Sequence, residues 1–177
     1  MRLLCMLVAG VLAALATVGA PVPAAADDDT STLKVTVIGG ELEISVQSDT
    51  RTFGAVQNTP EGTVVSGSLG EVTVRDNRNA PDGSSWVATA VATELKPNKG
   101  PGISAGNIRY NAGTVTKQGT CTIRAGETAT LNRARPVVTA SQIRGNNVAS
   151  WTPTITVKIP AGVVAGTYTG TITHSVL

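Results

Sequence analysis

Thr154-Ile155-Thr156-Val157-Lys158-Ile159-Pro160-Ala161-Gly162 is a half-buried strand followed by its stop. Ile155, Val157 and Ile159 fall on one side and Thr154, Thr156 and Lys158 on the other. Successive side chains of a strand point to opposite faces, so strict period-two alternation predicts one wet and one dry face. Beyond the Pro-Ala-Gly stop the pattern resumes. Tyr168, Ile172 and Val176 take one face, and Thr167, Thr169, Thr171, Thr173 and Ser175 take the other.

Working back along the chain, the same pattern recurs. Leu33, Val35 and Val37 alternate with Lys34 and Thr36, Gly39-Gly40 turns the chain, and Leu42, Ile44 and Val46 alternate with Glu41, Glu43 and Ser45. Those two segments predict a hairpin. Val72 and Val74 predict another strand, Asp76 to Ser85 a turn-rich loop, and Trp86 to Thr93 a strand with apolar residues on both faces. Shorter strands are expected at Ile108 to Tyr110, Thr114 to Thr116, Thr120 to Ile123 and Val137 to Ala140. Helical spacing is nowhere sustained. About nine short strands with Gly-rich turns predict an all-β fold, a single immunoglobulin-like antiparallel β-sandwich. Ser85-Trp86 and Ser150-Trp151 each open an alternating run after a polar turn, which suggests comparable places for the two tryptophans.

The first residues carry an address. Arg2 precedes an apolar run from Leu3 to Val18; Gly19, Pro21 and Pro23 break it, and Ala24-Ala25-Ala26 offers a cleavage site at Ala24 and Ala26. That order is expected of a secretory signal peptide over residues 1–26, with the β-sandwich domain over 27–177. The run is short for a membrane span, and no later segment approaches that length. The expectation is a secreted, extracellular protein with no transmembrane segment in its mature part. The end, Ser175-Val176-Leu177, carries no sorting motif, apolar anchor or basic tail.

Charge excludes some partners. The chain has 14 basic and 12 acidic residues, too balanced for a nucleic-acid footprint or a polybasic membrane patch. Cys5 is expected to leave with the signal peptide, which would give Cys121 no internal partner. It shares a face with Ile123 and reads either as a small buried apolar residue or as an intermolecular bridge.

Candidate sites are few. His174 is the one histidine, and its parity places it on the apolar face as a partly covered ring with a backbone partner. Ser175 beside it points the other way, so the two form no dyad. Asp76-Asn77-Arg78-Asn79-Ala80-Pro81-Asp82-Gly83 gathers oxygen ligands, but not at the spacing of the twelve-residue calcium loop, and Arg78 sits where a ligand belongs. Asx-type turns account for the same residues. Trp86, Trp151 and Tyr168 fall on apolar parity and are expected in the core rather than on a carbohydrate platform. Nucleophile elbows, phosphate-cradling Gly loops and paired carboxylates are missing from the sequence. The expectation is therefore a non-enzyme with no catalytic, cofactor-binding or metal-binding residues.

Four stretches carry a resemblance: Ser66-Gly67-Ser68-Leu69-Gly70-Glu71-Val72-Thr73-Val74-Arg75-Asp76, Ser85-Trp86-Val87-Ala88-Thr89, Ala149-Ser150-Trp151-Thr152-Pro153-Thr154-Ile155-Thr156-Val157, and Ile159-Pro160-Ala161-Gly162 with Ala165-Gly166-Thr167-Tyr168-Thr169-Gly170-Thr171-Ile172-Thr173. Together they resemble small secreted actinobacterial β-sandwich proteins and, more distantly, the WxL-domain surface proteins of Gram-positive bacteria. The resemblance implies non-covalent attachment to the cell wall. Trp86 is followed by Val87-Ala88 and Trp151 by Thr152-Pro153, so neither place keeps the Leu of that motif. The functional expectation is a cell-envelope protein that binds wall glycan or another envelope protein. The alternative is a structural or adhesive subunit assembling by strand addition, with Thr167 to Val176 as the candidate edge.

Overall fold

The computed structural model describes residues 34–47 and 51–177. The expected signal peptide, with Ala24 and Ala26, lies outside the described residues. By its contacts the chain divides into Met1–Thr36 and Val37–Leu177. Of the first unit, Lys34, Val35 and Thr36 are described, and none of them is in a strand.

The second unit is all-β. Its strands are β1 (Leu42–Val46), β2 (Thr63–Ser68), β3 (Val72–Ala92), β4 (Lys96–Pro97), β5 (Ile108–Asn111), β6 (Val115–Ala125), β7 (Ala129–Thr130), β8 (Arg135–Trp151), β9 (Thr154–Ile159), β10 (Tyr168–Thr169) and β11 (Ile172–Val176). The helical content of the described residues is one 3-10 turn at Ala105–Asn107. Every strand pair is antiparallel. One sheet runs β1-β3-β8-β6, with β11 on β3 beyond β1; the other runs β2-β9-β5-β7, and β4 and β10 form a small ribbon. No helix of the described residues is long and apolar enough to cross a membrane.

The two sheets sandwich one core. Val72, Val74, Trp86, Ala88 and Ala90 of β3 and Val138, Ala140, Ala149 and Trp151 of β8 face inward from one side. Ile108 and Tyr110 of β5 and Ile155 and Val157 of β9 close it from the other. Burying a side chain of Val or Ile size is worth about 1.5–3 kcal/mol, so these alternating rows are what hold the layers together.

The local pattern places β1, β5, β9 and β11, and the structure departs from it in three respects. The Leu33–Val46 hairpin does not form. Residues 34–40 are in no strand, and β1 pairs with β3 instead, from Leu42 opposite Asp76 to Val46 opposite Val72. That pairing brings Leu42, Ile44 and Val46 onto the core, which an isolated two-stranded ribbon could not offer. Second, Asp76 to Ser85 is no loop but the middle of β3, 21 residues long. Its turn-like residues are absorbed as bulges: the four steps from Asp76 to Ala80 span only two of β8, from Asn147 to Gly145, and the four from Ala80 to Ser84 span two more, to Ile143. Asn79 takes a positive φ of 50°, and its N–H donates to Asn146 Oδ1 at 2.8 Å. A further register shift, between Ala88 and Thr89, falls opposite Pro136, which has no N–H to give the ladder. Third, Val115 and Thr116 of the first expected segment and all of Thr120 to Ile123 belong to one strand, β6, whose register shifts at Gly119; Thr114 lies just outside it. A Cβ on Gly119 would sit 2.5 Å from the Asn146 carbonyl oxygen, and its φ is +87°.

Candidate functional site: a hydroxyl-lined sheet face

Alternation puts Ser45, Thr73, Ser150 and Thr116 on the outward parity of β1, β3, β8 and β6. Register then brings them into one row. Ser45 lies opposite Thr73, Thr73 opposite Ser150, and Ser150 opposite Thr116. The hydroxyls of Thr73 and Ser150 are 2.9 Å apart, and Thr116 Oγ1 donates to the Ser150 carbonyl at 3.1 Å. Thr73 Oγ1 also reaches Glu71 Oε1 at 3.1 Å. At the β1 end the row opens into a shallow concavity of about 350 Å³ lined by Ser45, Val46, Gln47, Glu71 and Thr73.

The row is rigid for a reason on the opposite face. Directly behind it stand Val46, Val72, Trp151 and Val115, in the same register, on the core side. Thr is also stiff at χ1, so the face is preorganised. Chemically it is a neutral surface whose hydroxyls both donate and accept, with the Glu71 carboxylate as an extra acceptor at one end. The second sheet carries a shorter version, where Ser66 and Thr156 hydroxyls meet at 2.9 Å.

The residues expected from sequence are spread through the molecule. Trp86 and Trp151 are 1% and 2% exposed, so their rings form no surface platform. Tyr168, expected in the core with them, is only half-buried. It lies in the two-residue strand β10 at the core margin, and its hydroxyl donates to the Val164 carbonyl at 2.8 Å. The buried tyrosine is Tyr110. Thr167, Thr169, Thr171, Thr173 and Ser175 are exposed, and β11 lies at a sheet edge. Cys121 is buried, and burial pushes its thiol pKa up. The Lys117 ammonium donates to the Cys121 carbonyl. Among the described residues, no three His, Cys, Asp or Glu side chains gather as metal ligands.

Each tryptophan anchors a buried polar chain. Trp151 Nε1 donates to the Tyr110 hydroxyl at 2.8 Å, and that hydroxyl is 3.0 Å from His174 Nε2. With its oxygen taking the indole hydrogen, Tyr110 satisfies both neighbours by donating its own to Nε2. The ring proton of His174 then sits on Nδ1, which is buried without a hydrogen-bond partner. So His174 faces inward on a side-chain partner from the other sheet, not on backbone. Burial pushes the Tyr110 hydroxyl's pKa up, and the Trp151 hydrogen bond offsets only part of that. Trp86 Nε1 donates to Asn147 Oδ1 at 3.0 Å, and Asn147 Nδ2 donates to Asp76 Oδ2 at 3.2 Å. Arg78 closes that chain with Nε to Oδ1 at 2.8 Å and Nη2 to Oδ2 at 2.9 Å.

Burial lowers the His174 pKa from 6.5 to about 4, and Tyr110 both hydrogen-bonds it and meets its ring at a tilt of 60°, the centroids 5.6 Å apart. Between those values the unfolded chain binds the proton and the folded chain does not, so stability falls as pH drops from about 6.5 to about 4. Urea midpoints taken across that window should decline in the native chain and hold nearly level in His174→Phe. An equal decline in both would remove His174 as the cause.

Ser45 and Thr73 are legible in the sequence as outward positions, whereas the sequence assigns Thr116 and Ser150 no face, and the meeting of all four depends on which strands are neighbours. Comparisons with protein-family models, curated proteins and solved structures find no match.

Proposed function

We propose that this chain is a secreted β-sandwich of the bacterial cell envelope that works by non-covalent contact, with wall glycan lying on the hydroxyl row. The observation that carries the reading is the continuous row Ser45, Thr73, Ser150, Thr116, backed by a packed core. A glycan presents hydroxyls and amides that need both donors and acceptors, and a neutral, stiff row supplies both without burying charge. The leader-like N-terminus and the resemblance to WxL-domain proteins support the location. Single contacts of this kind are weak, and repetition along a polymer raises retention through effective concentration.

The test is a pull-down of the mature chain, residues 27–177, on purified walls before and after removal of peptide components. Retention should survive that removal. Thr73→Val with Ser150→Ala should weaken it about tenfold, two hydrogen bonds being worth about 1–3 kcal/mol together. Unchanged binding by the double variant sinks the role of the row, and no binding to any wall fraction sinks the reading.

The sheet edges favour a second reading, a structural subunit that assembles by strand addition. Among the described residues β6, β11 and β1 each pair with one neighbouring strand, which leaves a side of each backbone ladder without a strand partner.

A further inference from the structure

We infer that Lys34–Ile38 of one copy adds as an extra strand along the free edge of β6 in a second copy; this rests on the strand-addition reading. The donor is Lys34-Val35-Thr36-Val37-Ile38, β-branched at four of its positions and alternating, yet in no strand. Val35, Val37 and Ile38 are 72%, 71% and 87% exposed. A run of that kind, exposed and ladder-free, is a template for intermolecular pairing.

The acceptor is β6, which pairs with β8 on one side and, among the described residues, with no strand on the other. Beside it lies a concavity of about 340 Å³ lined by Val115, Lys117, Thr122, Ile123 and Ala125. Register shifts on both sides of Thr120 interrupt the strand, so the regular stretch is Thr122–Ala125, enough to pair four residues of the donor. Val35 and Val37 have the two-residue spacing of Ile123 and Ala125, so all four can share the inner face of the new pair.

Charge favours the same partners. β6 itself carries Lys117 and Arg124 and no acidic residue. Residues 27–46 carry Asp27, Asp28, Asp29, Glu41 and Glu43 against Lys34. An acidic arm approaching a basic edge speeds and orients the encounter between two copies.

Light scattering on the mature chain over a range of concentrations tests the pairing. Val37→Asp changes an exposed residue and should leave the fold intact. It should weaken association about tenfold or more, because it sets a charge against apolar surface. In a Cys121→Ala background, one protein carrying Thr36→Cys mixed with another carrying Arg124→Cys should give a covalent dimer on oxidation, both positions facing outward. Oligomers unaltered by Val37→Asp, or lost only in Thr173→Pro, overturn this pairing while leaving assembly through β11 standing. A mature chain that is monomeric at every concentration overturns both.

Discussion

Trp151→Ala is expected to lower the stability of the domain by about 3–5 kcal/mol, the usual cost of emptying a large aromatic site in a packed core. The ring is 2% exposed and stands between Val72 of β3 and Val115 of β6, so three strands lose contacts together. Its N–H is also the hydrogen-bond donor to the Tyr110 hydroxyl, and through that hydroxyl it reaches His174 of β11. Denaturant unfolding measures the loss. Trp151→Phe separates the two contributions, since it keeps most of the ring and drops the N–H. Its cost should be nearer about 1–2 kcal/mol, the size of one buried hydrogen bond plus a small volume change. A loss below about 1 kcal/mol in Trp151→Ala would mean that the ring does not fill the core, contrary to what full burial requires.

Why Trp151 was legible and Tyr110 was not is instructive. By sequence Trp151 opens an alternating run with Ile155 and Val157 on its own parity; in the fold it instead ends β8, but a large apolar ring on the dry parity has one comfortable place in either case. Tyr110 lies in a four-residue strand, too short for alternation to separate a dry face from a wet one. Tyr168 misled for the opposite reason. Its parity with Ile172 and Val176 is right, but Gly170 interrupts the run, and the chain before it pairs with β4 at the core margin.

The same distinction runs through the site. Polar parity alone marks Ser45 and Thr73 as outward, because the period of two is a local property. Their assembly with Ser150 and Thr116 into one row depends on the order β1-β3-β8-β6, which joins strands separated by up to 77 positions at the Thr73–Ser150 contact. Nothing local encodes that. The two polar stretches before the tryptophans, Asp76 to Ser85 and Gly145 to Asn147, carried real turn chemistry, including positive φ at Asn79 and Gly83 and at Gly145. Tertiary pairing overrode it: each stretch lies opposite the other, so both remain in the ladder as bulges.

That bulged pair sets up the second large effect. Asp76→Ala is expected to cost about 1–3 kcal/mol, because it removes the buried acceptor of a charge-assisted pair whose Arg78 partner is 34% exposed and leaves buried Asn147 without the acceptor for its amide. Asp76 is completely buried and accepts from Arg78 Nε, Arg78 Nη2, the Arg78 backbone N–H and Asn147 Nδ2. Without it the guanidinium loses its anchor, and Asn147 loses the group that orients it toward the Trp86 indole. Asp76→Asn keeps the shape and should cost less. The pH behaviour identifies the charge. The Arg78 guanidinium holds the Asp76 carboxyl below its ordinary 3.8 against the opposing effect of burial, with Asn147 assisting. A carboxyl depressed in the folded state contributes stability that is present above 3.8 and lost as pH falls through its lower folded value. This loss therefore lies below the His174 window, and it should vanish in Asp76→Asn but persist in His174→Phe. Because Trp86 and Asp76 share Asn147, Trp86→Phe and Asp76→Ala should be less than additive in a double-mutant cycle. Full additivity would mean that the chain from Trp86 to Arg78 does not act as a unit, and the bulged crossing of β3 and β8 would then be held by backbone pairing alone.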